Sequence, residues 1–223
     1  EEQRRIAEVL EKAEAVRAKR KTAITEIASL GQAIFVEMFG DCERDSERWP
    51  RTTLGDLLSS IESGASPVCH ARPAAPDEWG VLKLGAVSWC EYDDTQHKAL
   101  PAAIPPQRHN EVQQGDVLLA RKNTYELVGA SAYVEQTRPR LLLSDLIFRL
   151  RLRPEAPVRP RYLQQLLITK PKRQQIRSLA GGSAGSMPNV SKVKLATVGI
   201  EIPPLPLQVE FERRLVAVRD VSM

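Results

Sequence analysis

The sequence contains no long apolar run. No stretch of about 18 consecutive apolar residues, the shortest length that usually spans a bilayer as a helix, occurs in the chain. The N-terminal residues also lack the basic start and short apolar core of a secretory signal. We therefore expect a protein with no membrane segment, located in the cytoplasm.

Metal-binding residues are scarce as well. The three cysteines, Cys42, Cys69 and Cys90, are odd in number, widely spaced and without a Cys-x-x-Cys pair. This pattern argues against a disulfide framework and a zinc site, and it favours a reducing compartment. The histidines form no pair spaced for one helix face, and Cys69-His70 has no second ligand pair in range. We predict no bound metal.

Catalytic signatures are absent too. The sequence has no Gly-x-Ser-x-Gly elbow and no Gly-rich phosphate loop ending in Gly-Lys-Ser/Thr. No carboxylate stands two residues before a lysine, the spacing of many metal-dependent nucleases. Neither Pro-Pro pair has the Asn or Asp before it and the aromatic residue after it that an amino-methyltransferase needs. These absences predict a protein with no catalysis of its own.

Aromatic residues are few, at 5% of the chain. Trp79, Trp89 and Tyr92 lie in a segment rich in turn formers. We interpret them as core residues, because large aromatic side chains dominate core packing. Base stacking is the alternative.

Charge is unevenly distributed, although the net charge is only +4. Residues 41–120 carry seven basic and thirteen acidic groups, a net charge of −6. Residues 121–194 carry fifteen basic and four acidic groups, a net charge of +11. A basic segment beside an acidic one creates a one-sided field that attracts a polyanion. The pattern fits nucleic acid and, equally, a solvated basic face.

The residues from 1 to about 39 follow the pattern of one long helix. Apolar residues recur at alternating spacings of four and three, which buries one stripe against another helix. Gly40 and Asp41 predict the end of the helix. The predicted packing residues of this first seam are Ile6, Leu10, Ala13, Ile24, Ile27, Ile34 and Met38.

The C-terminal residues repeat this pattern. The spacing that begins at Gln3 returns at Gln208, and the predicted packing residues of the second seam are Phe211, Leu215 and Val218. A long helix with one narrow apolar stripe needs a partner helix. We expect the second seam of the same chain or of a second copy to be that partner; the alternative is packing on the globular part. The order helix, globule, helix suggests one repeat of a longer design, so we expect a fragment or a half-length form.

The residues between the helices change in character. Prolines and glycines separate short apolar runs, which is the signature of strands. Residues 148–153 alternate strictly, so we expect one buried face and one row of arginines. Helical spacing returns over 160–180, and the whole pattern predicts an α+β fold with a mostly antiparallel or mixed sheet. The predicted strand-like runs begin at Thr53, Gly80, Gly115, Val128 and Leu141.

The basic segment supplies the candidate DNA contacts. Arg121, Asn123 and Thr124 follow a strand directly, and on a loop at a strand end such side chains read base edges, while Lys122 suits phosphate. The alternative is an ordinary polar turn. Basic residues from 170 onward and the Gly/Ser loop over 181–187 suit the DNA backbone, or else form a solvated helix face and a connector. The predicted backbone contacts are Lys170, Lys172, Arg173, Arg177, Ser183, Ser186 and Lys192.

Short segments in a fixed order, which together cover essentially the whole chain, resemble a known family. They are Glu2–Glu14, Gln32–Gly40, Trp49-Pro50, Leu54-Gly55-Asp56, Ile61–Pro67, Val81–Ser88, Gly115–Arg121, Val128–Ser131, Gly182–Gly185 and Pro203–Gln208. This ordered set resembles the DNA-specificity (S) subunit of type I restriction–modification enzymes. By that resemblance, the chain comprises a long helix over 1–40, one target-recognition domain over 41–202 and the start of a second long helix over 203–223.

The resemblance implies a role in a larger complex. A full-length member has two target-recognition domains, each reading one half of a split DNA target, and two antiparallel helices that set the distance between them. Adenine methyltransferase (M) subunits, which hold S-adenosylmethionine, dock on it, and a motor–nuclease (R) subunit uses ATP. The S subunit itself has neither catalysis nor cofactor.

Alternatives remain open at this stage. The chain carries one recognition domain, so it acts alone, as a homodimer through the long helices, or as a piece of a longer protein. Two other classes of function are a protein-interaction scaffold and a DNA-modifying enzyme in its own right.

Overall fold

The computed structural model describes residues 29–40, 48–182 and 187–221, together with Glu2, Arg5 and Glu11. The helices are α1 (29–39), α2 (Leu54–Leu57), α3 (Pro160–Leu167), α4 (Lys170–Leu179), α5 (Lys192–Ala196) and α6 (Leu205–Val221). The strands are β1 (Arg51–Thr53), β2 (Leu58–Ser63), β3 (Gly80–Leu82), β4 (His97–Ala99), β5 (Val117–Ala120), β6 (Ser131–Tyr133), β7 (Leu141–Leu142), β8 (Ile147–Leu152) and β9 (Gly199–Glu201).

Several predicted contact residues lie outside the described ranges. They are Ile6, Leu10, Ala13, Ile24 and Ile27 of the first seam and Ser183 and Ser186 of the Gly/Ser loop. Within the described ranges, no helix is both long and apolar enough to cross a membrane.

The strands form three sheets. The central sheet has the order β2-β8-β5-β6 and is antiparallel throughout. A second sheet has the order β4-β3-β7, in which β3 and β7 run parallel, and β1 pairs with β9 in a two-stranded ribbon. The predicted α+β fold class is confirmed, with three small sheets in place of one.

The central sheet is buried on both faces. Leu119 and Phe148, which lie opposite each other in the register, point into a core that also receives the helices. Leu118 and Ile147 point into a second core on the other face, packed under the loops. Burial on both faces explains why β5 is apolar at every position.

The predicted row of exposed arginines on β8 is wrong at Arg149. This side chain is 1% exposed and bonds to Glu62 at 2.6 Å and to Asp116 at 3.2 Å. Its guanidinium also donates to the backbone carbonyls of Glu111 and His109. A buried guanidinium needs such partners, and strand alternation alone does not reveal them.

The run from Thr53 to Leu58 was predicted to be a strand, and this is wrong. Residues Leu54–Leu57 form one turn of helix, closed by a capping box between Thr53 and Asp56. The Thr53 hydroxyl accepts from the Asp56 N–H, and the Asp56 carboxylate accepts from the Thr53 N–H. Two reciprocal caps outweigh the strand-like composition of so short a run.

Four aromatic rings join the helices to the globular part. Phe35 and Phe39 of α1 lie with their ring centres 5.5 Å from that of Phe211 on α6. The same two rings contact Tyr162 of α3, at 5.5 Å and 4.9 Å. All four residues are at most 4% exposed. The described end of α1 therefore packs both on α6 and on the globule.

Over the described end of α1, the buried positions differ by one residue from the predicted Ile34 and Met38. Phe35 and Phe39 are the buried residues, while Ile34 and Met38 are only partly buried at the edge of the core. In the second seam Phe211 and Leu215 are buried as predicted, and Val218 is half-buried. The larger aromatic rings take the central positions because they bury more apolar surface.

The two helices run antiparallel. Near one end of α1, Leu215 Cδ1 lies 3.0 Å from the position that a Cβ on Gly31 would take. Near the other end, Phe39 meets Phe211. Glycine at 31 permits this close approach, and Gly40, with φ of +85°, follows the last helical residue as its position predicted.

Replacing Phe35 by Ala removes the ring that contacts the other three. We expect Phe35→Ala to lower the free energy of unfolding by about 3–5 kcal/mol, because a cavity replaces a buried ring. Val36→Ala, at a position 48% exposed on the same helix, is the matched control, with an expected change within about 0.5 kcal/mol. Urea unfolding measures both. Equal effects would mean that the rings do not pack as described.

Candidate nucleic-acid interface

The candidate interface begins where β5 ends. Because β5 lies between β8 and β6, Arg121 emerges from the middle of the central sheet. Its N–H donates to the Leu146 carbonyl at 3.0 Å, and its carbonyl accepts from the Val190 N–H at 2.8 Å. Both backbone groups of Arg121 are thereby fixed, so its side chain leaves a rigid base.

A second segment lies alongside this strand end. Asn189 forms backbone bridges with both Lys122 and Gly181. The Asn123 N–H donates to the Pro188 carbonyl at 3.3 Å. The described residues at both ends of the Gly/Ser loop therefore border the loop that follows β5. The segment that begins at Arg121 and the segment that follows the Gly/Ser loop thus share one surface.

Two cations lie over one buried ring. The Arg121 guanidinium carbon is 5.1 Å from the centre of the Phe148 ring, and the Lys192 Nζ is 5.8 Å from it. The Arg121 Nε–H also donates to Asn189 Oδ1 at 3.1 Å. Phe148 is 1% exposed, so its ring is a fixed support for both charges.

These cations have no carboxylate partner. Within the described residues, no Asp or Glu forms a salt bridge with Arg121, Lys122, Lys192 or Lys194. Lys194 belongs to the same group, because its Nζ lies 4.0 Å from the Cβ position of Gly181. We call these four residues the cation cluster. Uncompensated charges of one sign attract a polyanion.

Helix α4 packs closely against the turn that follows the cluster. A Cβ on Gly129 would lie 2.6 Å from Cγ2 of Ile176, and its φ is +75°, so glycine permits this approach. Arg173 Nη2 donates to the Glu126 carbonyl at 2.8 Å, and Arg177 donates to the same oxygen. Helix α4 therefore fixes the turn over 124–128.

A carboxylate lies on this turn as well. The Glu126 backbone N–H and the Thr124 hydroxyl hold the pKa of the Glu126 carboxyl below its usual value, and Arg177 adds to this effect. Thr124 is exposed, as a contact residue must be, but its hydroxyl is engaged within the turn.

The prediction that Asn123 reads a base is wrong for its side chain. Asn123 is 6% exposed, and its Nδ2 donates to the Ser88 hydroxyl at 3.1 Å. Its Oδ1 accepts from the Thr124 N–H at 2.9 Å. An amide with both ends bonded inside the protein shapes the loop and presents nothing to a base.

Lys172 is not on the surface, contrary to the prediction. It is 3% exposed, and its Nζ bonds to both carboxylate oxygens of Glu201 at 2.9 Å. The Glu201 carboxylate, also 3% exposed, has a second partner in Arg51 at 3.3 Å. This ion pair ties α4 to the β1–β9 ribbon and leaves Lys172 no contact with DNA.

Arg173 is also buried, at 8% exposed. Its Nη1 donates to the Cys90 sulfur at 3.1 Å. Burial lowers the pKa of the Arg173 guanidinium and raises that of the Cys90 thiol. The predicted phosphate contact is therefore wrong for Arg173, which connects the chain near Cys90 to the turn at Glu126.

The other predicted contacts lie at the surface. Lys170 and Lys192 are exposed, while Arg121, Lys122 and Arg177 are partly exposed. Lys170 begins α4 and lies about two turns before Arg177, roughly 10 Å along the axis. Lys170 thus lies at the opposite end of α4 from Arg177.

Sequence reasoning missed two features of this surface. Asn189 joins it only through its backbone bridges with Lys122 and Gly181. Trp89, predicted to be a core residue, is 66% exposed, whereas Trp79 and Tyr92 pack against the cores as predicted. The described residues contain no group of three or more His, Cys, Asp or Glu side chains placed to hold a metal.

Comparison with curated proteins gives one informative relative. Over 163 residues, or 73% of its length, the chain is 31% identical to the type I restriction enzyme EcoEI specificity subunit of Escherichia coli. It spans only 27% of that relative's own length. No family model matches the chain.

Solved structures share the fold. The chain is similar to the HsdS subunit from Thermoanaerobacter tengcongensis, with a TM-score of 0.51 and 18% identity over 96% of this chain and 48% of that one. A structure that describes complex assembly and conformational transition of the type I R-M system gives a TM-score of 0.50 and 20% identity, over 99% and 51% of the two chains.

The fold therefore defines an HsdS-like α+β protein. The sequence likeness over most of the chain is to a specificity subunit. The chain belongs to the specificity-subunit family of type I restriction–modification enzymes, as the resemblance in its sequence indicated.

The two lysines at the start of α4 test which basic residues of this helix lie at the surface and which are buried. We expect Lys172→Ala to lower the free energy of unfolding by about 3 kcal/mol or more, because it leaves the buried Glu201 carboxylate without its closest cation. Lys170→Ala, at an exposed position of the same helix, should change it by less than about 0.5 kcal/mol. Denaturant unfolding of both variants gives the answer, and a small effect at both would place Lys172 at the surface after all.

Proposed function

We propose that this chain binds double-stranded DNA sequence-specifically and reads one half of a split target. In this proposal it is the recognition part of a type I restriction–modification complex and carries no catalysis of its own. The observation that carries the proposal is the cation cluster, four basic residues that have no carboxylate partner among the described residues and lie at the end of the central sheet. Phosphate contacts by such residues supply most of the affinity for DNA.

Arg121 is the residue best placed to read a base. Within the described residues, its Nε–H is bonded to Asn189 and its backbone is fixed on both sides. Its two terminal nitrogens remain, and these are the groups that bond to O6 and N7 of guanine. Lys122, Lys192 and Lys194 surround it and suit phosphates.

The rigidity of this surface supports specific rather than merely electrostatic binding. The Arg121 side chain is held by Asn189 and lies over the Phe148 ring, and the backbone of Lys122 is bridged to Asn189, so DNA binding has less to order there. Side chains ordered in advance lose less entropy on binding. A flexible basic tail would instead bind any sequence with similar affinity.

The helices offer a surface for partner subunits. The exposed apolar side chains Leu30 and Val36 of α1 and Val209 and Val216 of α6 are between 44% and 50% exposed. In the proposal, adenine methyltransferase subunits dock along this helix pair and hold S-adenosylmethionine, and a motor–nuclease subunit supplies ATP-driven steps. A second copy of the chain is the alternative occupant.

Selection from random duplex DNA tests the proposal directly. The chain, together with the methyltransferase subunit of its own system, should enrich a short fixed half-site at physiological salt. Two inverted copies at constant spacing would identify a homodimer. Arg121→Ala should lower the affinity and relax the preference at one base pair by about 1–3 kcal/mol, the discrimination of one bidentate contact. No enrichment while the methyltransferase subunit still binds would leave the scaffold function in its place.

Salt dependence separates phosphate contacts from other basic residues. For a residue that binds a phosphate, Lys192→Ala or Lys194→Ala should flatten the slope of log K against log salt by about 0.9. Lys98→Ala, exposed on β4 in the second sheet, is the control and should leave the slope unchanged. Fluorescence anisotropy of a labelled duplex at several salt concentrations gives the slopes. Equal slopes in all variants would remove the cation cluster from the interface.

A further inference from the structure

Two large aromatic side chains stand in solvent next to the cation cluster. Trp89 is 66% exposed and Tyr125 is 59% exposed. Tyr125 lies in the turn that follows Arg121, and Trp89 lies on the chain between β3 and β4. Single exposed apolar residues are ordinary, but apolar groups that share one surface rimmed by polar residues mark interaction sites.

The protein holds these two segments together by buried polar contacts. Asn123 Nδ2 donates to the hydroxyl of Ser88, the residue before Trp89. Arg173 donates to the sulfur of Cys90, the residue after Trp89, and to the carbonyl of Glu126, the residue after Tyr125. Each aromatic residue thus lies beside residues anchored to the other segment.

The backbone at Cys90 supports the same interpretation. Cys90 has φ of +63°, in the left-handed region that side chains other than glycine rarely adopt. Such conformations persist only where the surroundings enforce them, and they occur often at functional sites. Here the Arg173 bond to Cys90 and the Gln164 bond to the Cys90 carbonyl, at 3.3 Å, enforce it.

Positive charge accompanies the aromatic pair. The Arg177 guanidinium lies 6.0 Å from the Tyr125 ring, and Lys122 is three residues before Tyr125. The same turn also carries one negative charge, the Glu126 carboxylate, which lies beside Thr124 and Arg177. Aromatic faces among basic side chains are the surface chemistry that binds bases by stacking and phosphates by charge.

We propose that Trp89 and Tyr125 form a pair of aromatic DNA contacts next to the cation cluster, which insert at a base step of the duplex and stack on the base faces that this opens. In this arrangement Asn123 and Arg173, which the sequence suggested as direct contacts, are positioning residues that hold the two aromatic residues on one surface. This inference rests on the proposed function. It adds two residues, Trp89 and Tyr125, whose ring faces contact bases.

The test compares Trp89 variants on the selected duplex, with the chain bound to its methyltransferase subunit. Trp89→Ala should weaken DNA binding about tenfold, within the range for loss of one base–aromatic stack. Trp89→Phe should retain most of the affinity. Val68→Ala, at a position 89% exposed, is the control for a lost surface apolar group and should bind like the parent. Unfolding midpoints should be equal throughout, because both sites are exposed.

Tryptophan emission gives a readout that a purely structural role would not change. DNA should quench the emission of the parent chain, and in Trp89→Phe this quenching should disappear while binding persists. Unchanged quenching, or equal affinity of Trp89→Ala and the parent, would overturn the inference and leave the proposed function intact. If Trp89→Ala weakens only the binding of the methyltransferase subunit, Trp89 is a protein contact and the inference is also wrong. If the parent shows no sequence-selective binding, both proposals fail.

Discussion

A single apolar core on one face of the central sheet is the constraint on which the rest of this molecule depends. Phe35 and Phe211, which join the two helices, belong to it, and so do Phe148 and Val190, which lie beneath the candidate interface. Interiors pack densely and transmit displacement. The helix pair and the candidate interface therefore rest on one continuous set of apolar contacts.

Basic residues of the same chemical type have opposite roles here because of what surrounds them. Lys172 and Arg149 are buried against carboxylates and tie elements together. Among the residues that the structure describes, Arg121 and Lys192 have no such partner, and they lie at the surface over the buried ring of Phe148. Burial of a charge is tolerated only with compensation, so the two buried cations are paired, while exposed cations occur both with and without a carboxylate partner, as Arg151 and Arg159 show for the paired kind. The net charge of the basic segment is therefore larger than the charge available to the proposed DNA contact.

Buried polar side chains link structure to the proposed recognition of DNA. Asn123 and Arg173 expose little surface, yet they hold the segments that carry Trp89 and Tyr125. In the proposed function, substitution at Trp89 or Tyr125 changes the side chains that contact DNA. Substitution at Asn123 or Arg173 changes the position of the segments that carry them. The chain spans about a quarter of the length of its curated relative and about half of the solved structures.

The sequence by itself determined the fold class, the apolar second seam at Phe211 and Leu215, the end of α1 before Gly40, and the family. These rest on local periodicity, turn residues and the order of segments, which need no tertiary information. Only the tertiary structure decided that Phe35 and Phe39, not Ile34 and Met38, fill the helix contact. It also decided that Lys172 faces Glu201 and that Asn189 lies beside both Gly181 and Lys122. Those outcomes depend on contacts between residues far apart in the chain, and the strength of each depends on burial that a linear pattern does not contain.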